Sequence, residues 1–339
     1  MNSHLRLRHR KQCRIVASAA AVGILLSCYQ ATLAVSPPRS GEIEYEPAEN
    51  EEIVPDHFRL EAHTFPFEQT FLPTVSQKVE ISEVTFPSPV ETPHAANNTV
   101  HCEYFRPLAD GTHPGVVVLH ILGGDFDLSR LICRQLSYNG VAALFVKLPY
   151  YGPRAEPGVE MISPDPYQTV RGMTQAVLDI RRAAAWLRGQ DEIDDERLGI
   201  TGVSLGGITS AVAATAEPRF RRIALMLAGG DIAQAGWESS ELEDISQGWM
   251  QAGGTRESLL EIISPIDPVT YGENVRGREI IMFNAKSDEL IPRACTEALW
   301  EAFGQPEIHW WAGGHYTAAR FLFDGLGRAV EFFSAPVAE

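Results

Sequence analysis

The stretch that decides the fold is Leu198 to Ala216, with the sequence LGITGVSLGGITSAVAATA. Its first four residues are apolar or small and indicate a short buried strand. The pentapeptide GVSLG at 202–206 follows directly, and small and apolar residues continue from Gly207 in a run compatible with a helix. The stretch therefore predicts a strand, a sharp turn and a helix, in that order.

A turn this sharp places special demands on Ser204. The serine must adopt a strained backbone conformation, and the residues two before and two after it must be very small, which Gly202 and Gly206 satisfy. A G-x-S-x-G pattern between a strand and a helix is typical of a nucleophile elbow. Ser204 would then lie at a helix N-terminus, where free N–H groups favour a developing negative charge. A glycine-rich turn without chemistry is the alternative interpretation.

The N-terminal 34 residues have the pattern of a secretory signal. Five basic residues precede a short apolar run, Ile15 to Ser27, which is short for a membrane-spanning helix. Two processing sites fit: LLSC at 25–28 resembles a bacterial lipobox with Cys28 as the lipidated residue, and small residues allow cleavage after Ala34. An uncleaved anchor is a third alternative. We expect the protein to be exported.

The composition restricts the partners of the chain. Its 339 residues are 45% hydrophobic and 21% charged, as expected for a globular protein with a substantial core. The formal net charge of −16 at pH 7 repels nucleic acid and anionic membranes. A membrane contact would therefore depend on a lipid at the N-terminus or on an uncleaved signal anchor.

Acidic residues are concentrated between Glu42 and Asp56, in a Pro-containing stretch with few aromatic residues. This composition predicts that residues 35–76 form an acidic, solvated linker or N-terminal extension. The cysteines Cys102, Cys133 and Cys295 lack metal-ligand spacing, and their odd number leaves either one disulfide or buried free thiols. We expect neither a metal nor an organic cofactor.

Strand-like and helix-like segments alternate from Gly115 to Phe333. The alternation predicts an α/β fold with a doubly wound, mostly parallel sheet and helices on both faces. Residues 78–86 and 100–105 predict antiparallel strands at one sheet edge. We assign residues 77–336 to a single catalytic domain. The segment 232–267 interrupts the alternation and predicts a small cap or lid.

A serine nucleophile needs a base, usually a histidine that a carboxylate orients. Two histidines follow Ser204 in the chain. His309 lies inside a predicted strand, whereas His315 lies in the glycine-rich loop after it and is the favoured base. Asp288 follows a buried strand by a few residues and is the favoured acid, with Asp231 as its rival. The order Ser, acid, His is the one expected on this architecture.

A tetrahedral intermediate also needs two N–H donors. Leu205, directly after the serine, is expected to supply one from its backbone. The other should come from Leu122 or Ile121, in the loop after the strand that ends at His120. The alternative for this loop is a simple tight turn at its two glycines.

Four further residues near these segments have side chains suited to binding or capping. Tyr150 and Tyr151 either line the substrate pocket or pack into the core. Glu289 is interpreted as a solvated charge at a helix start, and Asp267 as a turn or cap residue.

Three motifs together resemble the α/β-hydrolase superfamily: GVSLGG at 202–207, Asp288 with IP at 291–292, and GH at 314–315. The resemblance covers residues 78–334, and within the superfamily the chain looks most like the dienelactone hydrolase and acetyl xylan esterase branches. It departs from the former by having serine in place of a cysteine nucleophile. It also has HILGG at 120–124, where His-Gly is usual.

The resemblance implies a serine hydrolase that cleaves carboxylic esters through Ser204, Asp288, His315 and an acyl-enzyme. The substrate would be a small-molecule or polysaccharide ester. A peptidase or an acyltransferase on the same three residues is one alternative, and a non-catalytic hydrolase-like binding module is another.

Overall fold

The structure is a computed structural model that describes residues 36–336 except 74–75, 125 and 239–242. Both predicted processing sites, Cys28 and Ala34, lie outside the described residues. Within the described part of the chain, no helix has both the length and the apolar character needed to cross a bilayer.

A ten-stranded sheet forms the frame of the molecule. The strands are β1 (Arg39–Tyr45), β2 (His63–Leu72), β3 (Val79–Pro87), β4 (Thr99–Pro107), β5 (His113–Leu119), β6 (Ala142–Val146), β7 (Ile193–Val203), β8 (Arg222–Met226), β9 (Glu279–Ala285) and β10 (Glu307–Trp311). Their order is β1-β2-β3-β4-β6-β5-β7-β8-β9-β10. The pairs from β1 through β4 to β6 are antiparallel, and those from β6 to β10 are parallel. The predicted fold class is confirmed.

Helices cover both faces of the sheet. They are α1 (Asp127–Tyr138), α2 (Pro166–Arg188), α3 (Leu205–Ala216), α4 (Ile232–Glu238), α5 (Glu243–Gln251), α6 (Arg256–Ile263), α7 (Arg293–Ala302) and α8 (Leu322–Ser334). Val116 and Val118 of β5 join the core under α1 and α8, whereas Val117 and Leu119 join the core under α2, α3 and α7. Burial on both faces explains why this strand is a continuous apolar run.

The predicted acidic linker is wrong for most of its length. β1 and β2 lie within it, pair with each other, and extend the sheet beyond β3. β1 is therefore the sheet edge, rather than the strand at 78–86. Ile43 and Tyr45 are buried, while Glu42 and Glu44 alternate with them. The acids belong to an amphipathic strand, in which every second residue faces the core.

Buried charges fix this N-terminal region to the helices. Arg181 of α2 and Glu217 are fully buried, and the Arg181 guanidinium donates to Glu51 at 2.6 and 2.8 Å and to Glu217 at 3.3 Å. Arg219 donates to the same Glu217 carboxylate at 2.6 and 2.9 Å. Burial raises the pKa of Glu217, but hydrogen bonds and charge from Arg219 and Arg181 lower this pKa overall. Glu51, which lies in the predicted linker, is thus part of a buried ion-pair network.

The described part of the segment 232–267 contains the helices α4, α5 and α6, between β8 and β9. α6 packs against α2 and α4. Its role as a lid stays a prediction.

The three cysteines in the described part of the chain are free thiols. Cys102, Cys133 and Cys295 are all buried. Burial raises the pKa of the Cys102 and Cys133 thiols, so both stay protonated at neutral pH.

We predict that Arg181→Ala lowers the free energy of unfolding by about 3 kcal/mol, because it leaves Glu217 buried with one cation fewer. Arg171→Ala is the matched control, since Arg171 forms an exposed pair with Asp165 on the same helix and should change little. Urea unfolding measures both variants. Equal effects would contradict a structural role for the buried network.

Candidate active site

The turn between β7 and α3 holds Ser204 in a strained conformation, with φ 56° and ψ −117°. A Cβ added to Gly202 would overlap the backbone of Gly206. A Cβ added to Gly206 would lie 2.6 Å from the carbonyl oxygen of Leu119, closer than real Cβ contacts. The close packing of three backbone segments therefore requires both glycines, for the reason that the sequence predicted.

Three distant side chains form one hydrogen-bonded chain. The Nε2 of His315 lies 2.9 Å from Oγ of Ser204, and its Nδ1 lies 2.9 and 3.0 Å from the two carboxylate oxygens of Asp288. The side chains of His315 and Asp288 are only 7% and 2% exposed. With Nδ1–H donating to Asp288, the neutral ring can accept the serine hydroxyl proton at Nε2. The structure thus brings together the predicted serine, acid and base.

The carboxylate of Asp288 is held by the backbone that follows it. Its Oδ1 accepts hydrogen bonds from the N–H groups of Leu290 at 3.0 Å and Ile291 at 2.7 Å. These bonds orient the carboxylate, which lies just after β9, toward His315.

The rival acid, Asp231, lies at the start of α4, where its own N–H donates to Asp267 at 3.1 Å. The Asp267 carboxylate also accepts from the N–H groups of Ile232 and Val269, which confirms its prediction as a cap residue. Burial raises the pKa of Asp267 despite these bonds. His309, in β10, stacks on Phe283 at 5.2 Å and plays no part in the hydrogen-bonded chain.

Glu289 has a role that the sequence did not indicate. Its carboxylate accepts a hydrogen bond of 2.8 Å from the backbone N–H of His315. A Cβ on Gly314 would overlap this carboxylate, so a larger residue there would displace the Glu289 side chain from its present position. Glu289 is exposed, but its carboxylate is not only a solvated charge, because it holds the backbone of the loop that carries His315. The bond joins residues 26 positions apart, which local patterns cannot reveal.

The sequence also missed the role of His120. This side chain is fully buried, and its Nδ1–H donates to the Ile121 carbonyl oxygen at 2.8 Å while its Nε2 accepts from the Leu148 N–H at 3.1 Å. Burial lowers the pKa of His120 to about 4, so the ring stays neutral at pH 7. His120 thereby fixes the backbone of the loop that carries Leu122. The oxyanion roles of Leu122 and Leu205 stay predictions.

Two apolar cavities meet at Ser204. The larger, of about 360 Å³, is lined by Ile121, Leu122, Gly123, Leu128, Val203, Ser204, Leu227, Leu290, Trp311, His315, Tyr316, Ala318, Ala319 and Leu322. The smaller, of about 80 Å³, is lined by Leu122, Ile162, Met173, Ser204, Leu205, Ile208, Ile232, Ala235, Leu290 and Ile291. Leu122, Ser204 and Leu290 border both cavities. The site can therefore accept uncharged apolar groups on two sides of the serine.

The two tyrosines after β6 lie elsewhere. Tyr150 lines a separate groove with His94 and Gln175, and Tyr151 packs edge-on against His120 at 4.7 Å. Neither borders a cavity at Ser204. Both rings are partly buried against the core. A substrate contact by Tyr150 or Tyr151 stays a prediction.

Two family models match the chain. The model of the prolyl oligopeptidase family matches residues 172–304, and the model named alpha/beta hydrolase domain containing 18 matches residues 74–229. Together with the fold, these matches establish that the chain belongs to the α/β-hydrolase superfamily.

Solved structures of the same fold include several esterases. An acetyl xylan esterase from Paenibacillus sp. R4 has a TM-score of 0.64 and 18% identity over 78% of this chain and 88% of that one. Acetyl xylan esterase 1 from Thermoanaerobacterium sp. JW/SL YS485 has a TM-score of 0.60 and 18% identity over 79% and 88%. A proposed dienelactone hydrolase from Klebsiella pneumoniae has a TM-score of 0.54 and 20% identity over 76% and 99%. Identities this low establish the fold alone.

Uncharacterized proteins from two strains of Mycobacterium tuberculosis, CDC 1551 and H37Rv, are each 32% identical over 186 residues. The match covers 52% of this chain and 42% of each relative, so the chain spans less than half the length of these curated relatives.

We predict that Gly206→Ala lowers the free energy of unfolding by about 2 kcal/mol, because the added methyl group must displace the Leu119 carbonyl. Gly327→Ala is the control: it lies within α8 with open space at its Cβ, and should stabilise by about 0.5 kcal/mol. Thermal unfolding with calorimetry distinguishes them. An unchanged free energy of unfolding for Gly206→Ala would contradict the close approach of the two backbone segments at this turn.

Proposed function

We propose that the protein is an esterase that hydrolyses carboxylic esters through Ser204, His315 and Asp288. The observation that carries the proposal is the continuous hydrogen-bonded chain from the Asp288 carboxylate through His315 to Ser204 Oγ, at the meeting point of two apolar cavities. A neutral imidazole in this position can remove the hydroxyl proton as the serine attacks.

In the acylation step, Ser204 Oγ attacks the acyl carbon while His315 takes the hydroxyl proton at Nε2. Asp288 holds the ring in the required tautomer and stabilises the imidazolium that forms. The backbone N–H groups of Leu205 and Leu122 would stabilise the oxyanion, and the loss of one such donor typically costs about 3 kcal/mol. His315 then gives its proton to the departing alkoxide oxygen.

Water completes the reaction. His315 deprotonates a water molecule, the resulting hydroxide attacks the acyl carbon, and the bond to Ser204 Oγ breaks as the histidine returns the proton. The acid leaves with one oxygen from water, and Ser204 regains its hydroxyl group. The cycle needs no group beyond the three side chains and the oxyanion donors.

The match to the prolyl oligopeptidase family model favours amide hydrolysis as a second candidate. The cavity walls favour esters, because apart from Ser204, His315 and Tyr316 the lining side chains are apolar. A peptide would bring backbone N–H and C=O groups that need hydrogen-bond partners when they lose water.

We predict that a fluorophosphonate probe labels the purified protein at Ser204, and that Ser204→Ala abolishes both labelling and hydrolysis of 1-naphthyl acetate. Asp288→Asn should lower kcat about 10⁴-fold, because the amide favours the wrong histidine tautomer. Asp231→Asn is the matched control and should stay within a few-fold of the parent, since Asp231 is outside the hydrogen-bonded chain.

Circular dichroism must first show that each variant is folded. A folded parent that neither reacts with the probe nor cleaves esters would contradict the enzyme and favour a binding module. Cleavage of peptide p-nitroanilides in preference to the ester would support the peptidase instead. Product transfer to an added alcohol in preference to water would support an acyltransferase.

We further infer export from residues 1–34, and predict that the protein expressed in a bacterial host is shortened at its N-terminus. Intact mass spectrometry should give either a diacylated chain beginning at Cys28 or an unmodified chain beginning at Val35. Cys28→Ser separates these outcomes, because it blocks lipidation but leaves the second cleavage site intact. A mass equal to the full chain would contradict both processing sites.

A further inference from the structure

We infer that the two cavities at Ser204 divide the substrate, so that the smaller one takes an acyl group of two to four carbons and the larger one takes an apolar alcohol. The inference rests on the proposed esterase function. It restricts the substrate to small esters of short acids with apolar alcohols and excludes polysaccharide esters.

The position of His315 decides which cavity holds which part. During acylation the Oγ–acyl carbon bond forms, the bond from the acyl carbon to the alcohol oxygen breaks, and His315 protonates that oxygen. The departing oxygen must therefore lie within hydrogen-bond reach of Nε2. His315 lines the larger cavity but not the smaller one, which is instead bordered by Leu205 and Ile208 of α3. The alcohol consequently occupies the larger cavity.

The volume of the smaller cavity limits the acyl chain. A water molecule occupies about 30 Å³ in the liquid, and a methylene group is of similar size. A cavity of about 80 Å³ thus holds about two or three such groups beyond the carbonyl. Its walls include Ile162, Met173 of α2, and Ile232 and Ala235 of α4. Acetyl to butyryl groups fit, and longer chains would have to displace these walls or extend out of the cavity.

The walls of the larger cavity determine the kind of alcohol. Its volume of about 360 Å³ holds about a dozen groups of this size. Leu128, Trp311 and Leu322 are among its apolar lining residues, and Leu122 and Tyr316 remain 42% and 61% exposed. The hydroxyl groups of a sugar would lose water here with few hydrogen-bond partners, which is unfavourable. An aromatic or alicyclic alcohol instead gains from burial.

The first experiment compares kcat/KM over two ester series with the purified protein. In the acyl series, 1-naphthyl acetate, butyrate and octanoate share one leaving group, and we expect octanoate to fall at least about tenfold below butyrate. In the alcohol series, 2-phenylethyl acetate and ethyl acetate have alkoxides that leave with nearly equal ease. We expect the phenylethyl ester to exceed both ethyl acetate and methyl β-xyloside triacetate by about tenfold.

Two variants assign the cavities separately. Ile232→Ala enlarges the smaller cavity and should raise the octanoate-to-butyrate ratio about tenfold without moving the phenylethyl-to-ethyl ratio. Ala319→Glu places a charge in the larger cavity at an exposed position and should lower the phenylethyl-to-ethyl ratio about tenfold without moving the acyl ratio.

The assignment would be overturned if Ile232→Ala changed the phenylethyl-to-ethyl ratio and Ala319→Glu changed the octanoate-to-butyrate ratio. Equal rates for the xyloside and phenylethyl acetates would also overturn it. Labelling of Ser204 by a small fluorophosphonate separates this failure from that of the proposed function. Labelling with the wrong ester preference contradicts only the division of the substrate. Absence of labelling in the folded protein contradicts the esterase itself.

Discussion

The close approach of three backbone segments at Gly202 and Gly206 is the constraint on which the rest of the structure depends. It holds Ser204 at a positive φ, above the carboxyl ends of the parallel strands. Since strands in such a sheet end along one edge, the loops after β5, β9 and β10 converge on the same point. Asp288 and His315 reach the serine because their strands end there.

Two residues outside the hydrogen-bonded chain of Ser204, His315 and Asp288 hold the backbone near it. Glu289 accepts a hydrogen bond from the backbone N–H of His315, and His120 bonds to the backbone of the loops after β5 and β6. Both act on backbone rather than on side chains, which fixes the loops without adding a competing base to the site. Leu122 and Leu290 each border both cavities, and so lie between the space on the two sides of Ser204.

The N-terminal antiparallel strands depend on a different interaction. Arg181 of the long helix α2 is buried and donates to Glu51, which precedes it by 130 residues. The acidic residues had suggested a solvated segment, but the Glu51 carboxylate stabilises the packing of this segment against the helix. Breaking such a pair is costly because one charge is left in a medium of low dielectric. The strands β1 and β2 are thereby part of the core that supports the elbow helix, and not an appendage to it.

The sequence by itself determined what short-range patterns encode. The elbow around Ser204, the buried parallel strands and the choice of Asp288 and His315 follow from glycine spacing, apolar periodicity and the order in which strands end. Only the tertiary structure decided which distant groups meet. Composition could not distinguish a solvated acid from Glu51 paired with Arg181. The cavities are likewise formed by side chains from many elements, and their sizes depend on packing that no local pattern records.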